Sequence, residues 1–176
     1  MTLRVTFGVD PGLSGAVATL IDGEPGPILD MPVMRTGEKG EVDAFALAAF
    51  VRRMRGEHPG ATFSAGIERV RAMPDRSGPN VRKMGAQSSF NFGDGFGQVK
   101  SVFRVLGVPT DLVEAVVWKR RFALLGQEKD AARLLAISRF PGAAAQLQRK
   151  KDGGRADALW IALWHDQMLQ QGRAAA

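Results

Sequence analysis

The sequence predicts an α/β fold in which five short strands alternate with, and are then followed by, helices. Three observations carry this. Leu3, Val5, Phe7 and Val9 alternate with Arg4, Thr6 and Gly8, the period of a strand with one covered face. Phe96, Val99, Val102, Phe103 and Leu106 recur at helical spacing. Finally, Ala156 to Trp164 is apolar on almost every side, as expected of a helix buried against a sheet.

The elements follow in order. The first strand ends at Asp10, where Pro11-Gly12 turns the chain, and residues 16–21 form the second strand. Asp22-Gly23 is a hairpin signal widened by Glu24-Pro25-Gly26, and residues 28–33 form the third strand. Residues 34–41 are polar and contain glycine, which predicts a loop. Asp43 caps a helix on which Phe45, Ala49, Phe50 and Met54 recur, and His58-Pro59-Gly60 stops it. Residues 62–67 form the fourth strand and deliver Glu68. Residues 69–89, rich in Gly, Pro and Arg, predict a mobile loop with a short helix over 81–84. The helix around Phe96–Leu106 stops at Gly107 and Pro109, and residues 112–117 form the fifth strand. Residues 118–125 and 130–140 read as helices, Asp152-Gly153-Gly154 as a break, and the buried helix as starting at Arg155. One domain over 1–169 with a flexible tail at 170–176 is expected.

No run of apolar residues reaches the length of a membrane span, and the N-terminus lacks the layout of a signal peptide, so a cytoplasmic protein is expected. The absence of cysteine excludes disulfides, thiolate metal sites and cysteine nucleophiles. A formal charge of +6 favours a polyanionic partner. The cations cluster at Arg69, Arg71, Arg76, Arg82 and Lys83, at Lys119-Arg120-Arg121, and at Arg149-Lys150-Lys151. Each cluster alone reads equally well as a solvated face.

Three acids stand at the ends of apolar elements: Asp10, Glu68 and Asp157. A carboxylate there is costly unless it is paired or binds a metal, and three brought together would repel. A hard divalent cation resolves that repulsion. Each acid also admits a plainer role. Asp10 before Pro11 suits a turn, Glu68 suits an ion pair with Arg69 or Arg71, and Asp157 suits a helix start. His58 and His165 have no partner at metal-ligand spacing and are assigned no chemistry.

Taken together, Gly8-Val9-Asp10-Pro11-Gly12-Leu13-Ser14-Gly15, Ile67-Glu68-Arg69-Val70 and Arg155-Ala156-Asp157-Ala158-Leu159 resemble the acidic motifs of RuvC-type Holliday-junction resolvases, within the RNase H-like superfamily. Phe90-Asn91-Phe92-Gly93 to Gly97, Leu106-Gly107-Val108-Pro109, Trp118-Lys119 and Lys129-Asp130 are similar to its shorter, phage-associated branch. The resemblance implies a five-stranded mixed sheet flanked by helices, with the first and fourth strands adjacent so that Asp10 meets Glu68. It implies a homodimer making paired nicks in four-way DNA, with two Mg²⁺ ions (Mn²⁺ substituting) held by Asp10, Glu68 and Asp157. Two departures stand out. The family places a fourth ligand one turn before the last acid; here that residue is Gly154, leaving Asp152 as the candidate. The family's bacterial members carry a wedging phenylalanine three residues after the glutamate; here it is Arg71, so Phe90 or Phe92 takes the stacking role or packs in the core. Arg71, Arg76, Arg82, Lys83, Lys119 and Lys129 are the candidate DNA contacts.

Two other classes compete. Sugar-kinase and actin-like phosphotransferases also open on a strand ending in Asp and a Gly-rich turn, but they need a second domain. A non-catalytic branched-DNA-binding protein has no need of an acidic trio.

Overall fold

The computed structural model describes residues 2–36, 39–71, 85–128 and 130–174. Strands β1 (Arg4–Asp10), β2 (Ala16–Ile21) and β3 (Glu24–Asp30) form an antiparallel meander. A small hairpin follows, β4 (Val33–Thr36) with β5 (Lys39–Val42), and then helix α1 (Ala44–Glu57). Next come β6 (Thr62–Glu68), α2 (Ala86–Val105), β7 (Thr110–Val113), α3 (Ala115–Arg121), α4 (Ala131–Arg139) and α5 (Gly153–Ala174), with two 3₁₀ turns leading into α5. The main sheet has the order β3-β2-β1-β6-β7 and is mixed, because β6 lies parallel to β1 and β7 parallel to β6.

Strand alternation assigns the two faces. Val5, Phe7 and Val9 join Val17 and Ile67 in a core covered by Leu47, Phe50, Val51 and Met54 of α1 and by Val99 and Phe103 of α2. The opposite side of β2 sends Ala16, Ala18 and Leu20 into a second core with Leu159, Ile161 and Leu163 of α5 and with Trp118 and Phe140. Each large side chain so buried contributes about 1.5–3 kcal/mol. α5 sits unusually close to β1. A Cβ placed on Gly8 would lie 2.0 Å from the Ala158 backbone oxygen and 2.2 Å from the Ala162 nitrogen, so only glycine permits this approach.

Several sequence expectations are corrected. Residues 34–41 are not simply a loop: Val33–Thr36 pairs with Lys39–Val42. Asp43 does cap α1, accepting from the Ala46 N–H at 2.9 Å, but the buried face is Leu47, Phe50, Val51 and Met54, while Phe45 is 80 % exposed. α2 begins at Ala86, inside the expected loop 69–89; residues 81–84 lie outside the described residues. The fifth strand ends at Val113, and Ala115 to Val117 open α3 instead. Gly153-Gly154 is not a break but the first turn of α5, and that helix runs through the expected tail to Ala174. At α3, β-branched Val116 and Val117 favour a strand locally but are exposed, and it is buried Trp118 that ties the segment to the core.

Candidate active site

Register brings the first two acids together. β1 and β6 pair in parallel through Gly8↔Gly66 and Val9↔Ile67, so Asp10 and Glu68 are the next residues on adjacent strands. Asp10 shares its strand face with Gly8, which lies on α5; Glu68 shares its face with Gly66, which lies against His165 of α5. Both carboxylates therefore leave the sheet on the α5 side, where Asp157 stands on the second turn of that helix.

The three acids share one electrostatic environment. Burial, followed by the charge of Glu68 and then that of Asp157, pushes the Asp10 carboxyl up to about 7. Burial also pushes Asp157 up to about 6, with Glu68 adding to the rise and Lys119 opposing it. The Gly12 N–H donates to Asp10 Oδ1 at 3.4 Å, and buried Trp118 donates its indole N–H to Glu68 Oε2 at 2.8 Å. Lys119 places its Nζ 5.1 Å from the Trp118 ring and acts on both Asp10 and Asp157. Among the described residues, no three Asp, Glu or His side chains close on one point at ligand distance. The trio is coupled by charge and is not drawn into a closed shell, as repelling carboxylates are expected to be. Its donor set, three carboxylates partly stripped of water and with Lys119 as the cation acting on two of them, fits a hard divalent ion.

No family model matches the sequence, and no curated protein does. Solved structures do match. RuvC of Thermus thermophilus in complex with a Holliday-junction substrate superposes with a TM-score of 0.58 at 18% identity, over 96% of each chain. A second Thermus thermophilus RuvC structure gives a TM-score of 0.51 at 17% identity, over 96% of this chain and 97% of that one. The chain has the fold of RuvC.

Against the RuvC-type pattern, the departures now have a physical form. A Cβ on Gly154, the position of the missing fourth ligand, would lie 2.6 Å from the Ser14 carbonyl oxygen and 2.9 Å from Gly15 Cα. The first turn of α5 rests on the backbone of the β1–β2 turn, leaving no room for a ligand side chain there. Asp152, the other candidate, is engaged by Arg149. Its two oxygens accept from the Arg149 side chain and backbone N–H, each at 2.8 Å, and it is 2 % exposed. Burial pushes its carboxyl up, but the Arg149 hydrogen bonds prevail and hold it below the ordinary range. Asp152 therefore caps the turn that launches α5.

The expected DNA contacts divide. Lys119 lies beside the acids. Arg71 is exposed, and its guanidinium meets Glu114, which also pairs with Arg69 at 3.9 Å. Arg76, Arg82, Lys83 and Lys129 lie outside the described residues. Phe90 and Phe92 are 70 % and 38 % exposed, so neither packs in the core; Phe92 lines a pocket with Leu13 and Ser14 beside the Asp10 turn. His58 closes α1 as its C-cap, and His165 is buried behind the sheet. Sequence reading missed the role of Trp118 toward Glu68. A tryptophan directly preceding the candidate lysine was the available signal, since a buried indole N–H needs an acceptor.

None of the described helices is long and apolar enough to cross a membrane.

Proposed function

We propose that the chain is a metal-dependent endonuclease that cuts four-way DNA junctions, in the manner of RuvC-type resolvases. The observation that carries this reading is the placement of Asp10 and Glu68 at adjacent strand ends facing α5, which bears Asp157, in a chain with the fold of RuvC. Asp10, Glu68 and Asp157 would hold the Mg²⁺ or Mn²⁺ ions, as carboxylates brought to one side of the sheet. Bound Mg²⁺ or Mn²⁺ supplies charge that polarises the phosphodiester and makes an attacking water more acidic.

The chain's own residues do the rest. Trp118 fixes the Glu68 carboxylate, restricting which oxygen faces the site. Partial burial of Asp10 and Asp157 lowers the local dielectric and strengthens the charge interactions there. Lys119 offsets part of the negative charge and is placed to meet a phosphate oxygen. The exposed ring of Phe92 beside the Asp10 turn offers a stacking surface in place of the phenylalanine that Arg71 displaces. Paired nicks need two such sites, and a homodimer supplies them. The net charge of +6 supports a polyanionic substrate.

The test is cleavage of a synthetic four-way junction, with a linear duplex of the same sequence alongside, in Mg²⁺ and in EDTA. Mg²⁺-dependent paired nicks confined to the junction are expected. Junction binding without any cleavage points to the binding-protein alternative.

A further inference from the structure

The basic run Arg149-Lys150-Lys151 separates in three dimensions. Arg149 is paired, with its guanidinium 2.6 Å from Asp152 and 3.8 Å from Asp30. Lys150 and Lys151 are exposed, and among the described residues neither has an ion-pair partner. Asp130, the acid that Lys150 influences, is already clamped by Arg133. Both lysines line a concave cleft shared with Lys119, Gln127, Glu128 and Asp157. The cleft thus gathers three cations from two distant parts of the chain and reaches the candidate catalytic acids at Asp157. Glu128 offsets one of those charges, and Asp157 is committed to the acid trio.

We propose that Lys150 and Lys151, with Lys119, form a phosphate subsite that holds the backbone of the cut strand next to the phosphodiester being hydrolysed. The inference rests on the nuclease reading for its choice of ligand. The chemistry is specific. Lysine ammonium groups on flexible stems suit the dispersed charge of a phosphodiester, which needs no bidentate fork. A concave, positively lined cleft opening onto buried acids also draws a polyanion toward the reacting centre. Closure of the Gly154 position strengthens the point: where a further ligand has no room, the adjoining charge is positive and exposed.

The experiment measures junction affinity with neutral methylphosphonate linkages placed singly around the cut position, for the wild type and for Lys150→Ala/Lys151→Ala. For the wild type, one linkage flanking the cut site is expected to weaken binding by about tenfold, the loss of a charge-assisted contact. The double variant should bind the native junction more weakly by a similar factor and show no further loss at that linkage. Arg52→Ala/Arg53→Ala, at two exposed α1 residues across the sheet, is the charge-matched control and should keep the full wild-type sensitivity. Equal sensitivity of wild type and double variant at every flanking linkage overturns the subsite. Because the readout is binding, failure of the chain to cleave overturns the nuclease reading and leaves this result standing. A chain with no affinity for the junction overturns both.

Discussion

Trp118 donates its indole N–H to Glu68 Oε2 at 2.8 Å, from a ring with no exposed surface. The contact joins the end of β6 to α3, which follows the edge strand β7 that pairs with β6. Lys119, the next residue, faces the acids. One turn of helix thus supplies both a hydrogen bond that steadies one carboxylate and a cation that acts on the other two.

Trp118→Phe preserves most of the ring and removes the donor. Cleavage of a four-way junction should fall by about 10- to 100-fold, the usual cost of losing a residue that orients a metal ligand. Stability should fall by about 1.5–3 kcal/mol, the worth of a hydrogen bond to a charged group. Single-turnover rates and thermal melting check both, and an unchanged rate removes Trp118 from the site.

The raised carboxyls give metal-free protein a defined pH response. Asp10 at about 7 and Asp157 at about 6 lie well above the values of the unfolded chain, so folding favours their protonated forms. The stability they contribute is complete at pH below the unfolded values and is lost as pH rises through 6 to 7. Asp30 acts oppositely: its hydrogen bond to Arg155 holds it low, so its contribution is lost only under more acidic conditions. Metal-free protein should therefore melt higher near about pH 5.5 than near about pH 8. Asp10→Asn should melt above the wild type near about pH 8, by about 2–4 °C for each kcal/mol relieved. The same variant should bind junctions and leave them uncut. Equal melting temperatures for Asp10→Asn and wild type at the higher pH contradict the burial of this charge.

An all-oxygen ligand set predicts metal preference. Mg²⁺ and Mn²⁺ should support cleavage, while Ca²⁺, with looser geometry and more ligands, should support binding with little cleavage. Cleavage in EDTA at the Mg²⁺ rate overturns the metal mechanism.

Gly154 and Asp152 test the start of α5. Gly154→Ala forces a methyl against backbone atoms and should cost about 1–3 kcal/mol, the usual penalty of overpacking. Asp152→Asn loses its charge toward Arg149 and Arg155 and should also lower stability, while leaving the Mg²⁺ concentration for half-maximal cleavage unchanged. A large rise in that concentration restores Asp152 as a ligand.

Much was legible in the sequence because it depends on local pattern. Alternation at Val5, Phe7 and Val9 marks the central strand, Asp43 caps its helix, and the apolar run after Asp157 marks the helix that closes the core. The resemblance to RuvC-type resolvases, carried by the motif around each acid, also implied that Asp10 and Glu68 would be neighbours. The phase of α1, the early start of α2 and the helical turn at Val116 and Val117 were not legible. Each is set by which neighbour the segment packs against.

By itself, then, the sequence determined the first two strands, the fourth, and the existence of the main helices, and it singled out the three acids as candidates, because periodicity and charge are properties of short stretches of chain. Only the tertiary structure decided what surrounds those acids. A side chain at Gly154 is barred by the Ser14 carbonyl, 140 positions away in number, which a Cβ there would approach to 2.6 Å. Asp152 is claimed by Arg149, Glu68 is held by Trp118, and Lys150 and Lys151 reach the same cleft as Lys119. Whether a charged side chain faces a metal, a phosphate or an ion-pair partner depends on distances of a few ångströms, and these are fixed only when distant segments pack.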